Sequence, residues 1–217
     1  MLELDTVKIR LLNHAGFKII DETTPKTVVY IDPYDSSDTE KADIILLTHD
    51  HYDHCSIEDI KSVCTPNTVV LATPACQSKL NPEKIGNVRK IKLVRPGMKV
   101  QIADVLVETV PSYNINKDFH PKADENVGYI VTINGKRIYH AGDTDRIPEM
   151  KDLKNIDVAL LPVSGIYVMT SDEAVMAALD INPKVAVPMH YGSIVGSSDD
   201  AENFSGKLQG KVEVEIL

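Results

Sequence analysis

From residue 7 to residue 20 apolar and polar positions alternate, with one break at Asn13-His14-Ala15-Gly16. A period of two is that of a half-buried strand, so strands are expected at 7–12 and 16–20. The β-branched run at 27–31 stops hard at Asp32-Pro33 and reads as a third strand. Further strands are expected at 43–47, 68–72 and 88–93, and helices at 56–63 and 74–80, the second with Pro74 in its first turn. After a turn at Pro96-Gly97 the theme repeats. Strands are expected at 99–102, 105–110, 127–133, 136–140, 157–161, 185–188 and 212–216, with helices at 171–179, capped by Thr170 or Ser171, and at 199–208. Asn134-Gly135 is a hairpin signal, because both turn positions want positive φ. Two strand-rich halves with appended helices suggest two sheets face to face with helices outside. No linker or low-complexity stretch interrupts residues 1–217, which are read as one α/β domain.

Composition narrows the class. At 43% hydrophobic and 25% charged, the chain is ordinary for a globular protein. No apolar run is long enough for a membrane span, and Met1-Leu2-Glu3-Leu4-Asp5 has no signal-peptide character. The net charge of −9 argues against a nucleic-acid or anionic-membrane surface. Cys55, Cys64 and Cys76 are odd in number and lack C-x-x-C spacing, so a reducing cytoplasm is the expected compartment.

The chemistry gathers at Thr48-His49-Asp50-His51-Tyr52-Asp53-His54, just after the strand at 43–47. Of seven histidines in the chain, three fall within these six positions from His49, together with a carboxylate. Imidazole and carboxylate suit a divalent first-row metal, zinc above all. A strand would throw these side chains to alternate faces; a turn past its end can gather them. Ser56 then caps a helix, with Asp59 as capping-box partner.

T-H-D-H-Y-D-H resembles the signature of the metallo-β-lactamase superfamily. The resemblance runs from His14-Ala15, similar to the branch that includes the ascorbate-6-phosphate lactonases, through Met189-His190-Tyr191-Gly192. It implies a four-layer αβ/βα sandwich, the metallo-β-lactamase fold, and a binuclear site. One metal would take His49, His51 and His120; the other Asp53, His54 and His190; Asp143, in His140-Ala141-Gly142-Asp143, would bridge them. The family usually supplies a histidine where this chain has Pro111-Ser112-Tyr113-Asn114. His120 is the nearest replacement, with Tyr113, Asn114 or water as the alternatives. Asp32 is placed behind a ligand imidazole, and His14 and His140 beside the pocket or in structural roles. Cys55 is read as a buried thiol.

The chemistry expected is hydrolysis by a metal-bound hydroxide, since coordination brings the pKa of water from 15.7 to about 7. Asp53 would orient that hydroxide and take its proton. The cofactors expected are two divalent ions, zinc first, with manganese or iron compatible with the same ligands. The substrate is read as a small molecule, an anionic ester, lactone or phosphodiester, with Lys117, Lys122 and Arg146 favouring the anion and Tyr113, Tyr167 and Ser193 available to hydrogen-bond it. A homo-oligomer is compatible with the sequence. The chain is too short and acidic for the superfamily's RNA-processing nucleases. It has too little after His190 for the helical domain of glyoxalase-II-like thioesterases, and it keeps His51 where flavodiiron proteins have Glu. No G-x-S-x-G, P-loop or G-x-G-x-x-G motif supports another enzyme class. The alternative reading is a non-catalytic metal-binding or sensing protein on the same fold.

Overall fold

In a computed structural model describing residues 1–217, the chain divides into two units, Met1–Arg95 and Pro96–Leu217. The first unit opens with four antiparallel strands, β1 (Leu2–Leu4), β2 (Val7–Asn13), β3 (Gly16–Asp21) and β4 (Thr27–Ile31). Three strands parallel to β4 follow: β5 (Ile44–Leu47), β6 (Val69–Ala72) and β7 (Lys90–Leu93). The result is one seven-stranded mixed sheet in sequence order. Helix α1 (Ile57–Val63) joins β5 to β6, and the short α2 (Pro82–Ile85) precedes β7.

The burial pattern explains the sequence pattern. Every residue of β5 and β6 is buried, so these strands are unbroken apolar runs, as parallel strands covered on both faces require. Tyr30, Ile45, Leu47, Val70 and Ala72 pack with Ile60 and Val63 of α1 and with Cys55 and Cys76 in one core cluster. The buried Lys18 on β3 places Nζ 2.9 Å from both carboxylate oxygens of Asp38 and 2.6 Å from Glu40, and the Tyr30 hydroxyl donates to Asp38 at 2.9 Å. This network ties the segment between β4 and β5 to the sheet. Burial alone would raise the Asp38 pKa, but the Lys18, Glu40 and Tyr30 donors hold it below the usual carboxylate value.

The second unit repeats the plan. Strands β8 (Lys99–Ile102), β9 (Val105–Pro111), β10 (Val127–Ile133) and β11 (Lys136–His140) are antiparallel. Strands β12 (Val158–Pro162), β13 (Val185–Met189) and β14 (Glu213–Val214) then add in parallel. Again the sheet has seven strands in sequence order. Helix α3 (Ser171–Ile181) packs on β12 and on α4 (Ser198–Leu208). Both helices start at capping boxes, Thr170 with Glu173 and Ser197 with Asp200. Asn134 and Gly135 both take positive φ, 44° and 73°, between β10 and β11.

Three expectations are corrected. Strand β1 was not anticipated, because three residues carry too little periodicity. The helix expected at 74–80 is a 3₁₀ turn, Pro74–Ser78. Asn81 must be extended before Pro82 and instead caps α2, which leaves no length for a second α-turn. The last strand is Glu213–Val214 only, since Lys211 and Val212 still bond back to the Leu208 carbonyl as the chain leaves α4. No helix is long and apolar enough to cross a membrane.

Gly128 on β10 passes close to the end of β11: a Cβ there would lie 2.8 Å from the His140 carbonyl oxygen and 3.0 Å from that of Ala141. Gly128→Ala is therefore expected to lower stability by about 1–3 kcal/mol, as overpacking against backbone does. Urea unfolding followed by circular dichroism would read it, and a wild-type midpoint would contradict the tight crossing.

Candidate metal centre

In the first unit the chemistry lies at the carboxyl ends of the parallel strands. Asp32 follows β4 and Thr48-His49 follow β5. Asp32 is fully buried, and its carboxylate accepts three hydrogen bonds. These come from the Thr48 N–H (2.8 Å), the Thr48 hydroxyl (2.5 Å) and His54 Nδ1–H (2.8 Å). Because the Thr48 hydroxyl gives its proton to Asp32, it is left to accept from His49 Nδ1–H at 2.9 Å. One carboxylate thus holds two imidazoles, one directly and one through a threonine. The chain then tightens: the N–H groups of His54 and Cys55 both bond to the His51 carbonyl, at 3.1 and 2.8 Å. That turn sets His49 edge-on to His51 and tilted against His54, with ring centroids 4.6 and 4.1 Å apart. Asp53 Oδ2 lies 3.5 Å from His54 Nε2 and 3.4 Å from Nε2 of the buried His14.

The second unit has its own set, again past strand ends. Asp143 follows β11, Ser164 follows β12 and His190 follows β13. Asp143 Oδ2 is 3.0 Å from His190 Nε2 and 3.7 Å from His120 Nε2. Ser164 Oγ stands 3.0 Å behind His190 Nδ1, and the Tyr167 carbonyl 3.3 Å behind His120 Nδ1. The long loop after β9 is closed by the Asn114 N–H on the His120 carbonyl, 2.8 Å. The Asn114 amide donates to the carbonyls of Phe119 (2.9 Å) and Tyr167 (2.7 Å). His140 is different: its Nδ1 accepts the Gly142 N–H at 3.1 Å, so it shapes the turn that presents Asp143.

These sets fit a metal by their donor chemistry. His49, His54, His120 and His190 each have an oxygen at Nδ1 that can accept its proton, which makes Nε2 the lone-pair nitrogen of a neutral imidazole. Buried imidazoles held from behind, grouped with a carboxylate in each unit, are ligands of the type that zinc, manganese or iron accepts. The backbone agrees. His14, Asp32, His120 and His190 all adopt left-handed φ, 53°, 45°, 56° and 61°. Such conformations cost free energy in non-glycine residues and concentrate at functional sites.

Thus the first unit gathers His14, Asp32, His49, His51, Asp53 and His54, and the second gathers His120, Asp143 and His190, with His140 beneath the Asp143 turn. Sequence reasoning missed Thr48 and Ser164, whose hydroxyls fix two imidazoles. It treated Asn114 as a substitute ligand, whereas it braces the His120 loop. Thr48 stood next to His49 and could have been found; nothing in Val163-Ser164-Gly165 marks Ser164. The basic residues that favoured an anionic substrate are already paired. Lys117 bonds to Asp145, Lys122 to Glu149 at 2.9 Å, and Arg146 to Asp180 at 2.6 Å. The Tyr113 hydroxyl likewise donates to Glu149, and burial followed by that carboxylate raises its pKa. Asp59 reaches back to the Ser56 hydroxyl, at 2.5 Å, rather than to its backbone N–H, and its carboxylate also accepts the N–H groups of Asp35 and Ser36, at 3.0 and 2.9 Å. Cys55 belongs to the core, and its hydrogen bond to Cys76 together with burial raises its pKa, so it is a neutral thiol.

Comparison with known proteins adds a family. The model of the beta-lactamase superfamily domain matches residues 8–190. A UPF0173 protein of Pyrococcus abyssi is 33% identical, over 94% of this chain and 91% of its own. A UPF0173 metal-dependent hydrolase of Thermococcus kodakarensis is 32% identical, over 97% and 96%. The crystal structure of a candidate metal-dependent hydrolase from Parabacteroides distasonis superposes with a TM-score of 0.83 at 33% identity, covering 97% of this chain and 92% of that one. The fold class is accordingly the α/β metallo-β-lactamase fold.

Asp32→Asn is expected to weaken metal affinity about 10- to 100-fold, the usual effect of losing a partner behind a ligand imidazole. It should also cost about 1–3 kcal/mol of stability, since one buried donor is left facing an amide N–H. Competition with a chromogenic chelator would measure the first. Unchanged affinity would reduce Asp32 to a turn residue.

Proposed function

The chain belongs to the metallo-β-lactamase superfamily, and on that premise we propose that it is a metal-dependent hydrolase with one binuclear centre. The whole chain, 1–217, then serves as a single domain. His49, His51 and His120 would hold one metal, Asp53, His54 and His190 the other, and Asp143 would serve both. The observation that supports this most is the shared fixing of four imidazoles from behind, three by side chains (Thr48, Asp32 and Ser164) and one by the Tyr167 carbonyl. When bound, divalent ions supply an acidified water and a Lewis acid for a carbonyl or phosphoryl oxygen.

The protein's own residues do the rest. Asp53, buried among imidazoles, orients the attacking water and takes its proton. The oxygens behind each imidazole hold the ligands in one tautomer through the reaction. The substrate is a small ester, lactone or phosphodiester. Preference for an anionic one rests on the charge that divalent ions bring to neutral imidazoles, and no longer on Lys117, Lys122 or Arg146. Zinc is the first choice of metal and the cytoplasm the expected compartment. The net charge of −9 agrees with a small molecule rather than nucleic acid as the partner.

Metal content per chain, measured on protein purified without added metal, tests the centre. We expect two ions, falling towards one in His120→Ala. One ion or none, unchanged by that substitution, would leave His120 a loop residue and the binuclear reading without support. Asp53→Ala tests the proposed roles of Asp53 as ligand and base together, with the fold as the control. With esters, lactones and phosphodiesters as a panel, kcat should fall at least about a hundredfold while the thermal unfolding of the metal-free protein is retained. Wild-type turnover in that variant would sink the mechanism, and a metal-loaded protein inert to the panel would favour a metal-binding or sensing role.

A further inference from the structure

Within the first unit, the segment from Pro74 to Lys79 is tied to the turn that carries His51, Asp53 and His54 at two points. Lys79 donates from Nζ to the Asp50 carbonyl and lies 3.8 Å from the Asp50 carboxylate. Deeper in, the thiol of Cys55 donates to the sulfur of Cys76. Cys55 directly follows His54, and its N–H is one of the two that close the turn on the His51 carbonyl. Cys76 is held from its own side as well. Its N–H bonds to the Thr73 carbonyl at 3.1 Å, and the Thr73 hydroxyl lies 3.4 Å from its sulfur. Both cysteines are buried in one core cluster, and both are free thiols.

Two isolated buried thiols would serve only as small apolar groups. These two touch, and they differ. The Cys55 hydrogen bond lowers the pKa of Cys76 against the effect of burial, and the Thr73 hydroxyl adds to it. Cys55, as the donor, keeps its proton. A sulfur held towards the thiolate, with a second thiol in contact to displace its oxidised form, is the arrangement of a redox pair. Cys64 is the contrast: partly exposed, it has its pKa pushed up to about 11 by burial. In a reducing compartment a disulfide is transient, and such pairs act as sensors rather than as staples.

We propose that Cys55 and Cys76 are a redox pair that a small hydroperoxide converts to a disulfide, and that this disulfide weakens the hold of the adjoining turn on metal. The Cys76 thiolate attacks one peroxide oxygen, the O–O bond breaks, hydroxide leaves, and a sulfenic acid remains on Cys76. The Cys55 sulfur then displaces the sulfenic hydroxyl, which departs with the Cys55 proton as water. The earlier hydroxide takes up the proton that Cys76 gave up. Two thiols thus lose two electrons and two protons, and the peroxide becomes two waters. A sulfur–sulfur bond is shorter than a hydrogen-bond contact between thiols, so closing it draws Cys55 towards the Pro74–Ser78 turn. His54 is the next residue in the chain, and its Nδ1 is held to Asp32 at 2.8 Å. The effect on metal rests on the metal-centre reading above; the disulfide itself does not.

The test treats the zinc-loaded full chain with hydrogen peroxide and then blocks the remaining thiols with N-ethylmaleimide in denaturant. We expect the loss of two hydrogens by intact mass and a Cys55–Cys76 linkage in the unreduced peptide map, with Cys64 blocked. Cys64→Ser should give the same linkage. In Cys55→Ser the sulfenic acid on Cys76 has no resolving thiol and should be trapped by dimedone. Competition with a chromogenic chelator, before and after oxidation, should show metal affinity falling at least about tenfold, as when the support of a ligand imidazole is disturbed. Reduction with dithiothreitol, followed by its removal, should restore it. Oxidation confined to Cys64, or sulfonic acids on unlinked Cys55 and Cys76, overturns the redox pair. A Cys55–Cys76 disulfide with unchanged metal affinity overturns the switch and leaves the metal centre standing. A reduced chain that holds no metal refutes the metal-centre reading and the switch with it, while the peptide map still decides the disulfide.

Discussion

The carboxylate of Asp32 is the constraint on which the first half of the site depends. A buried charge is tolerated only when its lone pairs are taken up, and here three donors meet it. All three come from the ligand segment, residues 48–54. The same residue's N–H bonds to the Leu46 carbonyl, so β4 and β5 are locked where they end. The requirement of one carboxylate for donors therefore fixes the strand ends, the tautomers of two histidines and the entry to the turn that carries Asp53. Its left-handed φ of 45° is the local cost of placing it there.

The second unit solves the same problem with the same topology. Both sheets run four antiparallel strands into three parallel ones, in sequence order. In both, the acidic residue follows the fourth strand, Asp32 after β4 and Asp143 after β11. The carboxyl ends of parallel strands are where backbone can turn out of a sheet and side chains can converge. The two halves differ in what backs the imidazoles. The first uses a carboxylate and a threonine; the second uses a serine hydroxyl and a backbone carbonyl, with Asn114 bracing the loop. With neutral backing in the second half, the charged group seen facing His120 and His190 is Asp143, at 3.7 and 3.0 Å.

Much of this was legible from residue order. Adjacent candidate ligands such as His49, His51, Asp53 and His54 advertise themselves, because a single turn gathers them. The hairpin at Asn134-Gly135 and the unbroken run of β5 report their geometry for the same reason: backbone conformation and burial act over a few residues. The limits of the 3₁₀ turn at Pro74–Ser78 and of β14 were not legible. Each is set by a neighbour, Pro82 in one case and the exit of α4 in the other.

The sequence by itself determined the fold class, most of the elements and the donor types, since periodicity, turn chemistry and donor identity are local properties. Only the tertiary structure decided what stands behind each imidazole and which charges are already spent. Ser164 reaches His190 across 26 positions, and Lys117 reaches Asp145 across 28. Contacts at that separation depend on where strands end in space. No pattern along the chain encodes them.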